Sequence, residues 1–190
     1  IKKVHDTFST DGTGTFSLPE KLPAGIYYFR EIKAPAGYLL NGQDIKFEIT
    51  KAYDWNRPVS VACEDAPAMG KIRITKTEHE GGNAVPGAVF AIVAAEDIVT
   101  PDGTVRVSKG ELVDTVTTGQ DGKAMSKALY LGRYAVKETD APEGYLLNAK
   151  DFETELKYKD QNTEIVYADI RVENEVAKGK IRIVKTDADT

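Results

Sequence analysis

Cysteine and histidine are scarce in this sequence, and their scarcity excludes several classes of function. Cys63 is the only cysteine among 190 residues, so no disulfide bond can form within the chain. The two histidines, His5 and His79, are far apart and form no set with Cys63 at the spacing of a metal site. We interpret both histidines as solvated residues near strand ends. We therefore expect no metal, no cofactor and no enzyme active site of the usual histidine-based or metal-based kind.

Long hydrophobic runs and blocks of positive charge are also missing. No apolar run approaches the roughly 18 residues that a membrane span requires, so we expect no membrane insertion in this segment. The 25 basic and 30 acidic residues give a net charge of −5 without a basic block, which argues against nucleic acid as a partner. The sequence has no signal peptide and does not start with methionine, so we interpret it as a segment of a longer protein.

Internal repetition is the strongest positive feature of the sequence. Residues 27–41 return in similar form at 134–148, residues 61–65 at 170–174, and residues 70–77 at 179–186. The repeats predict the later part of one domain at 1–69, a complete domain at 70–178, and the first strand of a following domain at 179–190. The joints are only a few residues long, which is typical of a semi-rigid rod and not of flexibly linked domains.

Short segments of alternating polarity within the complete repeat predict an all-β fold. Strands are expected around Ile72 and Ile74 and at residues 88–94, 114–118, 128–138, 152–157 and 165–173, separated by turns rich in glycine, proline and aspartate. No segment keeps a helical period, although residues 91–97 could form a short helical turn. Several short strands with regular turn signals indicate a β-sandwich.

Three polar residues, Lys76, Glu138 and Asn174, occupy positions where a buried strand face should continue. Side chains two residues apart lie on the same side of a strand. The apolar residues that precede them on these faces are Ile72 and Ile74, Tyr134 and Val136, and Ile170 and Val172. A lone buried lysine or glutamate would cost several kcal/mol, so we expect the three side chains to lie together.

Such a cluster would have a definite chemistry. Loss of solvent lowers the pKa of a lysine and raises that of a carboxyl group. An uncharged Lys76 amine is a nucleophile, and a protonated Glu138 could polarise the Asn174 carboxamide and shuttle protons. The product would be a Lys–Asn isopeptide bond with loss of ammonia. The reaction would run once per domain, as self-modification.

The combination of four motifs resembles the CnaB-type domains, also called SpaA-type or prealbumin-like domains, of Gram-positive surface adhesins and pilins. The motifs are Ile-Thr-Lys-Thr at 74–77, Val-Pro-Gly-Ala-Val-Phe at 85–90, Ala-Pro-Glu-Gly-Tyr at 141–145, and Val-Glu-Asn at 172–174. The resemblance covers essentially the whole chain. It implies tandem Greek-key β-sandwiches with a Glu-assisted intramolecular Lys–Asn or Lys–Asp isopeptide bond. Lys76, Glu138 and Asn174 fall on the three positions.

The incomplete repeats match this pattern only in part. Glu31 corresponds to Glu138, and Asp65 corresponds to Asn174 as an acceptor that would lose water. Lys185 corresponds to Lys76 but has no acceptor after it. One interpretation is that this sequence is a segment of a tandem array whose ends fall within domains. The other is that the strand with Lys185 completes the sandwich of the next chain, and Lys185 bonds to Asp65 of that chain in a covalent polymer.

Two main functions remain open at this point. The resemblance implies a stalk or shaft domain on the bacterial cell surface or in the cell wall, outside the cell, whose partners are neighbouring repeats and other copies in a fibre. Alternatively, loops at 50–58, which contain Trp55, or at 95–109 could make the chain an adhesin module that binds host protein or glycan.

Overall fold

The computed structural model describes residues 6–52 and 57–186, so the predictions for His5 and Trp55 lie outside the described residues. The chain divides into two compact units. One contains residues up to 31 together with 42–63, and the other contains 32–41 together with the chain from residue 64 onward. Within the described residues there is no helix, and therefore none long and apolar enough to cross a membrane.

Twelve strands make up the regular structure of the described residues. In chain order they are β1 (Gly25–Arg30), β2 (Asp44–Ile49), β3 (Met69–Glu78), β4 (Val89–Ala94), β5 (Ile98–Val99), β6 (Val105–Val107), β7 (Leu112–Thr117), β8 (Lys123–Met125), β9 (Leu129–Tyr130), β10 (Gly132–Asp140), β11 (Asp151–Leu156) and β12 (Ile165–Asn174).

The smaller unit contains the antiparallel hairpin β1–β2. Alternation in β1 places Tyr27 and Phe29 on its less exposed face, and the Tyr27 ring lies 5.6 Å from that of Phe47 on β2. Residues 61–65, which correspond to 170–174 in the complete repeat, form no strand. In the complete repeat the corresponding strand β12 pairs with β3 and with no other strand, and no counterpart of β3 precedes residue 61 among the described residues.

The larger unit contains a β-sandwich of two main sheets. One sheet has the order β11-β10-β4-β7, and the other has the order β12-β3-β8, with β9 also paired to β3. Strand β12 runs parallel to β3, the first strand of the repeat, in a ten-residue register from Ile165↔Met69 to Asn174↔Glu78. The first and last strands of the repeat therefore lie side by side, and side chains near their ends can meet.

Apolar residues at alternate positions of both sheets form the core between them. The largest fully buried apolar side chains are Tyr134, Phe90, Ile72, Ile74, Ile92, Ile98, Leu156, Val85, Val136 and Val172. This alternation confirms the predicted all-β sandwich. The suggested helical turn at 91–97 was wrong, because residues up to 94 continue the buried strand β4. The predicted loop at 95–109 folds back as the hairpin β5–β6.

Candidate functional site

Lys76, Glu138 and Asn174 lie together inside the sandwich near the ends of β3, β10 and β12. Each continues the inward face of its strand, as the alternation predicted, because the residues two and four positions before it are also buried. Their exposed fractions are 0%, 5% and 1%. The two sheets contribute to one cluster, since β10 belongs to one sheet while β3 and β12 are neighbours in the other.

The polar atoms of the three side chains contact one another directly. The Lys76 Nζ lies 3.3 Å from Glu138 Oε1 and 3.4 Å from Oε2, and it also donates to Asn174 Oδ1. The Asn174 Nδ2 donates to Glu138 Oε1 over 2.8 Å. Glu138 is therefore within hydrogen-bonding reach of both the lysine amine and the carboxamide nitrogen. The Lys76 amine is hydrogen-bonded to the carboxamide oxygen.

Asn148 is a member of the site that sequence reasoning missed. Its backbone N–H donates to Glu138 Oε2 over 2.8 Å, and its side-chain Nδ2 donates to the carbonyl of Glu173 over 3.0 Å. Asn148 thus holds the Glu138 carboxyl group and fastens its own loop to the last strand beside Asn174. The signal that could have found it is its place in the repeated phrase, where Asn41 is the counterpart.

Burial controls the charge of Lys76. Loss of water around the amine lowers the pKa of Lys76, and the opposing attraction of Glu138 only partly offsets this. The Phe90 ring, whose centroid is 5.9 Å from Nζ, provides an apolar wall in place of water. The uncharged amine, which carries the free lone pair, is thus more accessible here than in a solvated lysine.

The main chain around Lys76 is fixed from both sides. Its N–H donates to the Gly122 carbonyl over 2.7 Å, and its carbonyl accepts from the Val85 N–H over 3.1 Å. Both bonds involve turns outside the β3–β12 pair. They hold the backbone of Lys76 in place, and its side chain points from there into the core.

The arrangement contains the parts needed for acyl transfer from an amide. Lys76 supplies an amine nucleophile, Asn174 supplies the carbonyl carbon, and Glu138 can accept a proton from one nitrogen and donate one to the other. Within the described residues, no group of three or more histidine, cysteine, aspartate or glutamate side chains could hold a metal ion.

The other predicted site residues lie elsewhere. Glu31 is half-buried directly after β1. Asp65 is half-buried and outside any strand, and its Oδ1 is buried without a hydrogen-bond partner. Lys185 is exposed and also lies outside any strand. The structure brings none of these three residues to the cluster of Lys76, Glu138 and Asn174.

Parts of this chain are similar to known proteins. The Bacillus anthracis TIE protein is 30% identical in a structural match with a TM-score of 0.65, which covers 88% of this chain and 28% of that one. The trypsin-resistant surface T6 protein of Streptococcus pyogenes serotype M6 is 41% identical over 46 residues, which are 24% of this chain and 9% of the T6 protein. The chain thus spans less than a third of either protein.

Family membership rests on a longer match. The SpaA prealbumin-like fold domain matches residues 1–59 and again 70–171, which together are well over half of the chain. The second match contains Lys76 and Glu138 and ends three residues before Asn174. Both the repetition and the all-β sandwich are thereby accounted for, and the chain belongs to the SpaA family of prealbumin-like fold domains.

Proposed function

We propose that this chain is part of the stalk or shaft of a Gram-positive cell-surface protein, and that its complete repeat closes itself with an isopeptide bond. The bond joins Lys76 to Asn174, and Glu138 carries the protons. The chain is then a structural protein that modifies itself once and turns over no substrate. The T6 protein is named as a surface protein, which supports a location outside the cell.

The observation that carries the proposal is the burial of a complete reactive set inside the sandwich. A buried lysine, glutamate and asparagine in mutual contact stabilise a fold less well than apolar residues of similar size would. Their presence in an otherwise apolar interior is explained if they react with one another. The lowered pKa of Lys76 acts in the same direction, because it favours the nucleophilic form.

The reaction balances without any other reagent. The uncharged Lys76 Nζ attacks Asn174 Cγ, a new C–N bond forms, and the bond between Cγ and Nδ2 breaks. Glu138 takes a proton from Nζ, 3.3 Å away, and returns a proton to Nδ2, 2.8 Å away, so that ammonia leaves. The Asn148 N–H holds the carboxyl group in place during both transfers.

The bond would connect the first strand of the repeat to the last. Lys76 and Asn174 are separated by 98 positions in the sequence but lie on adjacent parallel strands. A covalent closure here would carry tension directly from β3 to β12 and leave the rest of the sandwich unloaded. It would also restrict the unfolded chain, as a disulfide does, while resisting reduction.

The intact mass of the purified chain tests this proposal. We expect a deficit of about 17 Da, the mass of one ammonia molecule, and a fragment in which Lys76 is joined to Asn174. Lys76→Ala, Glu138→Gln and Asn174→Ala should each restore the calculated mass. Lys71→Ala, on the same strand but the other face, should keep the deficit. A wild-type chain of full calculated mass, recovered folded, would refute the cross-link.

Asp65 and Lys185 would extend the same chemistry to the neighbouring repeats. The buried, unpartnered Oδ1 of Asp65 supports an acceptor role for it, with Glu31 as the proton carrier predicted by the repeat. If the domain that ends with Asp65 is complete in a longer protein, the lysine that bonds to Asp65 belongs to that same domain. If Lys185 of another chain supplies it instead, denaturing gels of this chain will show covalent dimers and larger species, and Lys185→Ala will abolish them.

A further inference from the structure

The chain contains two copies of one turn sequence, and their surroundings can be compared. We call residues 34–41 the first turn and residues 141–148 the second turn. Their sequences differ at one position, where Ala36 in the first corresponds to Glu143 in the second, and both of these residues are exposed. The turns also share a backbone conformation, since Gly37 has φ +93° and Gly144 has φ +88°.

Each turn is held by the same hydrogen bonds to the end of its own repeat and to the linker that follows it. Ala68 N–H donates to the Gly37 carbonyl over 2.9 Å, as Ala177 N–H donates to the Gly144 carbonyl over 2.8 Å. Other matching pairs are Leu39 N–H to Ala66 O and Leu146 N–H to Glu175 O, and Asn41 Nδ2 to Glu64 O and Asn148 Nδ2 to Glu173 O. The two turns therefore have the same backbone conformation and the same supporting hydrogen bonds.

The first turn is covered by the complete repeat that follows it in the sequence. Gln161 holds it at two points, because its Oε1 accepts from the Ala34 N–H over 2.9 Å and its carbonyl accepts from the Leu40 N–H over 2.9 Å. The Tyr158 hydroxyl donates to the Tyr38 carbonyl over 3.3 Å. These contacts come from the loop between β11 and β12.

A second contact comes from the tip of the β5–β6 hairpin. Pro101 packs so closely on Gly37 that a Cβ atom there would lie 2.5 Å from the proline Cγ. The tip is rigid, because the Thr100 hydroxyl donates to Asp102 Oδ1 over 2.6 Å and Arg106 Nη2 contacts Asp102 Oδ2 over 3.1 Å. The hairpin therefore presents Pro101 to the turn.

The second turn has the same supporting hydrogen bonds, but no corresponding residues in the described part of the chain pack over it. Ala34 is 6% exposed, and Leu39 and Leu40 are half-buried, whereas Leu146 and Leu147 are 52% and 50% exposed. A Cβ atom at Gly144 would meet nothing within 4 Å. Among the described residues, no group does for the second turn what Gln161, Tyr158 and Pro101 do for the first.

We propose that the second turn, with Leu146 and Leu147, is a docking surface for another domain of this same type. That domain covers the surface with its own counterparts of Pro101, Tyr158 and Gln161. The first turn shows the partner's chemistry, since it is the same surface with such a partner in place. The proposal rests on the tandem-domain part of the proposed function and is independent of the isopeptide bond.

The test uses this chain and an extended chain. In the extended chain, residues 1–178 are followed directly by a second copy of residues 70–178, so that Gly70 of the added copy replaces Gly179. Amide hydrogen exchange is measured at Ala141 and Leu147, the counterparts of Ala34 and Leu40. We expect their exchange in the extended chain to be at least about tenfold slower than in the 190-residue chain. Gln161→Ala in the added copy should restore fast exchange at Ala141, because the Gln161 side chain is the acceptor of the corresponding amide in the first turn.

A glycine pair provides the matched control. Gly37→Ala and Gly144→Ala carry the same strain of positive φ, but only the first meets a proline in the 190-residue chain. In that chain, Gly37→Ala should speed exchange at Ala34 and Leu40 far more than Gly144→Ala speeds it at Ala141 and Leu147. In the extended chain, Gly144→Ala should speed exchange at Ala141 and Leu147 as well.

Two results would overturn the docking surface. One is unchanged fast exchange at Ala141 and Leu147 in the extended chain while its strands are protected. The other is equally slow exchange at these amides in a dilute 190-residue chain, because the second turn would then be protected without any added domain. The intact mass of the same samples reports the isopeptide bond separately, so failure of docking and failure of the cross-link are distinguishable.

Discussion

Lys76 occupies a position on β3 where the two preceding inward residues are isoleucines. An ammonium group there would lose its hydration, and a single carboxyl partner does not fully replace water. Burial therefore lowers the pKa of Lys76, and the amine lies beside a carboxamide carbon that it can attack. A residue that is unfavourable as a structural element is favourable as a reactant.

The leaving group can be exchanged without changing the site's shape. Asn174→Asp keeps the carbonyl carbon, but its bond to Lys76 would release water in place of ammonia. We expect this variant to cross-link and to lose about 18 Da, which gives the same final mass as the reacted wild type. Intact mass spectrometry measures this. Asn174→Asp combined with Lys76→Ala is the control that should keep its full mass. A full-mass Asn174→Asp chain would contradict the prediction.

Tyr134 predicts how stability responds to alkaline pH. Burial raises the pKa of Tyr134 from 10.0 to about 12, and its hydroxyl donates to the Tyr130 carbonyl over 2.7 Å. A pKa raised by folding stabilises the protein fully below pH 10, and this contribution is lost as the pH rises towards about 12. The lost free energy of unfolding is about 2 to 3 kcal/mol.

Replacement of the hydroxyl tests this prediction. Tyr134→Phe should cost about 1 kcal/mol at pH 8 through its lost hydrogen bond, and should remove most of the extra fall in stability between pH 10 and 12. Denaturant unfolding at several pH values measures both. Tyr167→Phe, at a half-exposed tyrosine, is the matched control for loss of a hydroxyl group. An equally steep alkaline fall in Tyr134→Phe would show that Tyr134 is not responsible.

At the scale of elements, the site depends on how β3 is held. The turn before β8 approaches β3 so closely that a Cβ atom at Gly122 would lie 2.5 Å from the Lys76 carbonyl oxygen. This neighbour is backbone, so it cannot move aside by rotating a side chain. Gly122 also has φ +69°, a conformation that favours glycine.

Gly122→Ala should therefore disturb the position of Lys76. We expect a loss of stability of about 2 kcal/mol or more and slower formation of the cross-link during refolding. Gly110→Ala is the matched control, because Gly110 has φ +82° but nothing within 4 Å of an added Cβ. Denaturant unfolding and time-resolved intact mass measure the two effects. Equal effects of the two substitutions would refute the role of this contact.

At the scale of the whole molecule, the parallel pair β3–β12 joins the two ends of the complete repeat. The proposed bond between Lys76 and Asn174 would close a loop of about 100 residues, for which chain entropy alone predicts a stabilisation of about 4 to 5 kcal/mol. The sandwich has its own apolar core, so the bond would add stability to a fold that already exists.

Asn174→Ala measures the size of this contribution. We expect it to lower the free energy of unfolding by at least about 4 kcal/mol, because it removes the covalent closure and a polar partner of buried Lys76. Guanidinium unfolding followed by circular dichroism tests this. Asn162→Ala, at an exposed asparagine, should change stability by less than about 0.5 kcal/mol. A similar small effect of Asn174→Ala would show that no stabilising closure exists.

The direction in which each strand faces follows from alternation in the sequence. A strand alternates sides every two residues, so Lys76, Glu138 and Asn174 could be assigned to inward faces from their apolar neighbours alone. The repeated phrases likewise marked Glu31, Asp65 and Lys185 as counterparts of the reactive residues. Their roles and the domain boundaries at 69–70 and 178–179 stay predictions.

Which strands are neighbours could be learned only from the folded protein. Pairing depends on contacts between distant segments, so alternation could not reveal that β12 runs parallel to β3 or that the 61–65 segment forms no strand where a partner for it is missing. The same holds for Asn148, whose backbone N–H, common to almost every residue, is what binds Glu138. It holds too for the cover that Gln161 and Pro101 place on the first turn, because those contacts join residues more than 60 positions apart.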